Sequence, residues 1–230
     1  MPPTWLTVLA WVALVVGFGC GGWILVDIHA RGYRQRMKVM EVVWPVTALY
    51  AGPLAVAGYL RFGRPKTNRW LVEHERDEPP DKPWWATVSE GVSHCGAGCT
   101  LGDIIAEFAV FFLAVTVAGE TLFAEYVGDY VLAVGLGLAF QYFAIAPMRG
   151  LGLRKGIVAA AKADILSLTA FEVGLFGWMA LTAFVLFPSP HLHPDSAAYW
   201  FMMQIGMCLG FLTAYPVNAC LIRRGIKEAM

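Results

Sequence analysis

An all-α, polytopic membrane fold, a single domain built as a bundle of about six transmembrane helices, is what three observations in this 230-residue chain predict. Hydrophobic residues make up 58% of it and charged residues only 15%, where soluble chains carry nearer ~25% charged. The apolar residues gather in runs close to the ~20 residues that a helix needs to cross a ~30 Å hydrocarbon core. The charges collect between those runs, with Lys+Arg and Asp+Glu both at 17, so no overall basic field argues for a nucleic-acid partner.

Taken in order, Trp5 to Val26 has no charged residue and forms the first predicted span. It lacks a basic segment before it and a small-residue cleavage site after it, which predicts a retained helix rather than a signal peptide. A polar connector with Asp27, His29, Arg31, Arg34, Arg36 and Lys38 leads to Val42–Leu60, whose Pro45, Gly52 and Pro53 predict a kinked second helix. Residues 61–93 are the one long hydrophilic stretch, read as an interfacial loop with Trp84-Trp85 anchored at the headgroups. Leu101–Ala118, Val127–Ala146, Ile165–Phe187 and Tyr199–Ile222 complete the six. No internal repeat or low-complexity tract is visible.

Lys and Arg counts in alternate connections set the expected orientation. With six spans, Arg61, Arg64, Lys66, Arg69, Arg76, Lys82, Arg149, Arg154, Lys155, Lys162, Arg223, Arg224 and Lys227 share one side, and only Arg31, Arg34, Arg36 and Lys38 oppose them. Both termini are then expected in the cytoplasm, although the basic first connector runs against that scheme.

The reactive groups are densest in Ser93-His94-Cys95-Gly96-Ala97-Gly98-Cys99-Thr100-Leu101-Gly102-Asp103. Read as the mouth of the third helix, this stretch places Cys95, Cys99, Asp103 and Glu107 at four-residue steps along one side. Thiolates prefer Cu(I) or Zn(II), and two sulfurs with the His94 imidazole supply a soft ligand set. The plain structural alternative is a glycine-loosened first turn holding two inert thiols. Glu107 and Glu172 are charges within predicted spans, expensive unless they pair, protonate or meet a cavity. Met203 and Met207 stand one turn apart beside Gly206 and Gly210, either as thioether ligands for copper or as packing. Met148 poses the same choice. Gln141, Gln204 and Asn218 are expected to bond between helices. His191 and His193, and His29 beside Asp27, are further candidates at the far side or plain solvated side chains. The candidate metal set is therefore His94, Cys95, Cys99, Asp103, Glu107, Glu172, Met203 and Met207.

No nucleotide-binding glycine loop or Ser/His/Asp motif is present, which argues against the commoner enzyme classes. Cys20, Cys208 and Cys220 lie in apolar runs as small hydrophobes. Three functions remain open: a transition-metal protein with a copper ion as cofactor or cargo, a thiol–disulfide oxidoreductase working through Cys95 and Cys99, and a structural subunit of a homo-oligomer or larger membrane complex.

The run Ser93–Asp103, together with Trp44-Pro45, Leu49-Tyr50, Ala146-Pro147-Met148-Arg149-Gly150, the segment from Lys162 to Glu172, Trp200-Phe201-Met202-Met203-Gln204 and Tyr215-Pro216, resembles the bacterial membrane proteins grouped as domain of unknown function 4396. The resemblance implies a polytopic protein of the bacterial inner membrane and carries no activity with it.

Overall fold

A segment surrounded by hydrocarbon must satisfy every backbone N–H and C=O internally, which leaves the helix as the solution for isolated spans. The computed structural model describes residues 2–150 and 152–228, without the side chains of 144–149, and no strand occurs among the described residues. The side chains of Met148 and Arg149 thus lie outside what is described. In chain order the helices are α1 (Thr4–His29), α2 (Met40–Ala51), α3 (Pro53–Gly58), α4 (Asn68–Glu73), α5 (Trp84–Leu113), α6 (Thr121–Arg149), α7 (Leu153–Leu181) and α8 (Ala197–Arg223). Five of them, α1, α5, α6, α7 and α8, are long and apolar enough to cross a membrane. The fold is an all-α, polytopic bundle, and the α2–α3 pair supplies the sixth apolar segment.

That sixth segment turns back inside the bundle instead of kinking through it. Pro45 is accommodated within α2, whose 12 residues span only ~18 Å. The break comes at Gly52, where φ is +52°, a conformation open to glycine, and Pro53 then opens α3. The turn sits at mid-bundle: Gln204 of α8 donates to the Leu49 carbonyl at 2.6 Å, and that carbonyl lies against Gly17 in the middle of α1. A π turn at Tyr59–Gly63 brings the chain back to the level it left, where the Tyr59 hydroxyl donates to Asp27 at 2.9 Å. Gly52 at the break is buried against Val16 of α1, which makes irregular backbone at this depth tolerable, while Leu54 just after it faces outward.

The hairpin changes the topology read from the sequence. The first connector and the stretch after α3 now pack together: Tyr33 donates to Glu73 at 2.7 Å, Arg36 to Asn68 at 3.1 Å, and Arg69 to the Arg31 carbonyl. All 17 Lys and Arg residues consequently belong to segments that begin or end at one end of the bundle, while 114–120 and 187–196 at the other end carry none. The start of α1 and the end of α8 lie at opposite ends of the bundle.

The third predicted span is also shifted. It begins at Trp84, straight after Pro83, and runs 30 residues to Leu113, so Ser93–Asp103 lies in mid-helix and is not a mouth. Residues 84–93 look hydrophilic because their polar groups face inward: Glu90 is buried and receives both Lys66, at 2.9 Å, and Lys82. The glycines serve packing. A Cβ on Gly98 would stand 2.8 Å from the Gly137 Cα, and one on Gly102 would stand 2.6 Å from the Ala133 amide, so α6 lies directly on α5. Gly210 of α8 meets Gly174 of α7 in the same way. Outward-facing side chains such as Trp11, Phe18, Phe112 and Val173 complete an apolar exterior suited to lipid.

Candidate functional site

One helical turn separates each of Cys95, Cys99, Asp103 and Glu107, so all four line the side of α5 that faces α6, α7 and α8. The structure brings the whole candidate set into this seam. His94, Cys95, Cys99 and Asp103 have no exposure, and Glu107, Glu172, Met203 and Met207 have 3% or less.

The seam has two ends of different chemistry. Toward the basic end of the bundle, Lys227, just beyond α8, inserts its ammonium and reaches Asp164 of α7 at 2.9 Å. Beside this pair Asn218 donates to Ser167 at 2.6 Å, and the Cys95 sulfur lies 2.9 Å from the Ser167 hydroxyl and 3.3 Å from the Val92 carbonyl. Each hydrogen finds an acceptor if Ser167 donates to the sulfur and the thiol donates to Val92. His94 packs against the edge of Phe140, with ring centroids 6.4 Å apart. Both its ring nitrogens, Asp164 Oδ2 and Asn218 Oδ1 have no hydrogen-bond partner among the described residues.

Toward the other end the seam is acidic. The Cys99 thiol faces Glu172 of α7 and Asp103. Asp103 in turn faces Glu107 and Asp129, and Glu107 meets Glu125, Asp129 and the Tyr199 hydroxyl. All five carboxylates are buried, and none takes part in a described ion pair. Among the described residues, both oxygens of Asp103, both of Glu172, one each of Glu107 and Asp129, and the Tyr199 hydroxyl lack a hydrogen-bond partner. A cavity of about 40 Å³, lined by Glu120, Glu125, Thr182, His191, His193 and Tyr199, adjoins this end, with room for about one or two waters. His191 and His193 thus stand at the acidic end, exposed at its rim. His29 is exposed at the basic end, away from both, and Asp27 beside it is held by Tyr59, Arg31 and Arg64.

Methionines join the two ends. The Met207 sulfur accepts from Thr100 at 3.7 Å and lies with Met203 in the core formed by Cys99, Phe171 and Leu175. Sequence reasoning missed Glu125, Asp129 and Lys227. Asp129 is a charge four residues after Glu125 inside an otherwise apolar run, and that spacing was the legible signal. Lys227 gave none, since a lysine just past a helix is ordinarily solvated.

Buried carboxylates without a counter-ion attract whatever neutralises them, a proton or a metal cation. In the present conformation no three His, Cys, Asp or Glu side chains among the described residues converge as a metal centre would.

No curated protein and no solved structure matches the chain. The Trp44-Pro45 and Leu49-Tyr50 pairs fall outside the one family match, which covers α5, α6, α7 and α8 with both ends of the seam. The family is described as a domain of unknown function (DUF4396), its model matches residues 84–227, and the chain belongs to it.

Proposed function

We propose that this protein binds or transports a transition-metal cation, copper by the character of its donors, inside the α5–α8 bundle. The observation that carries the reading is the acidic end of the seam: buried carboxylates with unpartnered oxygens beside a thiol, and no basic side chain among the described residues paired with any of them. Oxygen ligands alone suit hard cations, while Cys99 and Met207 bias the set toward a soft one. Cys99, Asp103 and Glu172 are the proposed ligands, Glu107, Glu125 and Asp129 the charge-compensating groups next to them, and His94, Cys95 and Met203 the soft donors along the rest of the seam. Admission of the ion draws these side chains together, a rotamer-scale change from the present spacing.

The test is metal analysis of the purified chain under reducing conditions, with and without Cys95→Ser and Cys99→Ser. Copper in the native protein and its loss in Cys99→Ser support the reading. A metal-free native protein whose Cys95 and Cys99 alkylation follows the redox state of the buffer replaces it with thiol–disulfide exchange.

The proposed setting is a bacterial inner membrane with the basic end toward the cytoplasm, which puts the C-terminus inside and the N-terminus outside. The support is that every Lys and Arg falls on one side once the α2–α3 hairpin is recognised. A periplasm-active reporter fused after residue 40 should be silent and one fused after Gly119 active; the reverse pattern overturns this orientation.

A further inference from the structure

We propose that the basic end of the seam is a second cation site, and that the chain fills it with its own ammonium, so that the C-terminal turn acts as a tethered plug. This rests on the cation reading above and assigns Asp164, Asn218, Ser167, Cys95 and His94 as the site.

The path of the chain carries the first half of the argument. After Arg223, Gly225 adopts φ +66°, and the amides of Ile226 and Lys227 bond back to the Leu221 carbonyl at 3.0 and 3.3 Å. A lysine at this position would ordinarily extend to water along the surface. The turn instead sends it inward, where its side chain has 0% exposure and its Nζ is 2.9 Å from Asp164. Its stem passes Gly91 of α5 at ordinary van der Waals distance, with Lys227 Cε 3.9 Å from where a Cβ on that glycine would stand.

The second half is a surplus of acceptors. An ammonium has three hydrogens to donate, and among the described residues Asp164 Oδ1 is the one acceptor that Lys227 reaches. Among the described residues Asp164 Oδ2, Asn218 Oδ1 and the two His94 nitrogens have no hydrogen-bond partner, and the Cys95 sulfur and Ser167 hydroxyl lie beside Asn218. Carboxylate and amide oxygen, imidazole nitrogen and thiol sulfur are more donors than one ammonium uses; they do not converge as a metal centre while Lys227 is in place, and a mixed set of this kind suits a transition-metal ion once drawn together. Withdrawal of Lys227 leaves Asp164 without its counter-ion, and a metal cation restores the balance. The tail and the ion therefore compete for one carboxylate.

The experiment uses the full-length chain with Cys20, Cys208 and Cys220 changed to alanine, and follows modification of Cys95 by a small charged methanethiosulfonate. Lys227→Ala, or a stop after Gly225, should accelerate Cys95 labelling about tenfold through a larger open population, and Lys227→Arg should leave it slow. Cu(I) added before the reagent should protect Cys95 in the plug-free variants. Labelling at the same rate in all variants overturns the plug, and acceleration without Cu(I) protection overturns the metal site behind it. Should Lys227→Ala fail to fold, the Lys227→Met, Asp164→Asn double variant removes both charges and should label fast. Failure here is distinct from failure of the acidic site, which is read by copper content in Asp103→Asn and Glu172→Gln chains that keep Lys227 intact.

Discussion

At one end of the α5 seam Asp164 has a lysine ammonium at 2.9 Å, while at the other Asp103, Glu107, Glu125, Asp129 and Glu172 share no described cation at all. Both regions are buried, both lie against the same helix, and both mix carboxylates with a cysteine one turn from its twin. The difference is that the first is closed by the chain itself and the second is left open in charge. A buried pair is an electrostatic commitment: removing one partner strands the other, whereas a carboxylate without a counter-ion gains little from keeping its charge. The basic end therefore reads as a lock and the acidic end as a receptacle.

Mutations at the two ends should separate these roles. The largest effect is expected from Asp164→Ala, which strands the Lys227 ammonium and should cost about 3–5 kcal/mol, seen as a lower unfolding temperature in detergent. The Asp164→Asn, Lys227→Met double variant should recover most of that loss, and no recovery would show the pair to be incidental. Next comes Gly102→Val. Its side chain collides with the α6 backbone at Ala133, and overpacking of this kind costs about 1–3 kcal/mol. Because Gly102 adjoins Asp103 and α6 carries Asp129, this variant should lose copper at the acidic end yet keep Cys95 slow to label. Loss of both together would mean that the two ends are one site. Smallest is Asp103→Asn, which should leave thermal stability unchanged or raise it by about 0.5 kcal/mol, the scale of a substitution that breaks no partner. A loss comparable to that of Asp164→Ala would reveal a hidden counter-ion and erase the contrast.

Much of this architecture was legible in residue pattern. Apolar runs located the spanning helices, and four-residue spacing placed Cys95, Cys99, Asp103 and Glu107 on one side, where the structure has them. The hairpin was not, because proline and glycine in an apolar run signal a kink and a reversal equally well. The discriminating clue was the basic connector from Arg31 to Lys38, which ran against the charge count for six spans and agrees with the five long apolar helices. The start of α5 was hidden by a different ambiguity: Glu90 is as polar when it faces a half-buried lysine pair as when it faces water, and composition alone does not separate the two. Glu125 and Asp129 escaped notice since a single carboxylate per turn barely changes the mean hydropathy of a span. Lys227 depends on a turn at Gly225 and on Asp164, its partner 63 residues away in sequence, which no local pattern encodes.

The central claim is that the acidic end holds a soft metal cation through Cys99, Asp103 and Glu172. Its most direct test is the copper-to-chain ratio of the intact protein purified at neutral pH under reducing conditions, beside the Asp103→Asn, Glu172→Gln double variant. A ratio near one in the native chain that collapses in the double variant is the expected result. A native chain without copper, or a double variant that keeps all of it, would contradict the account.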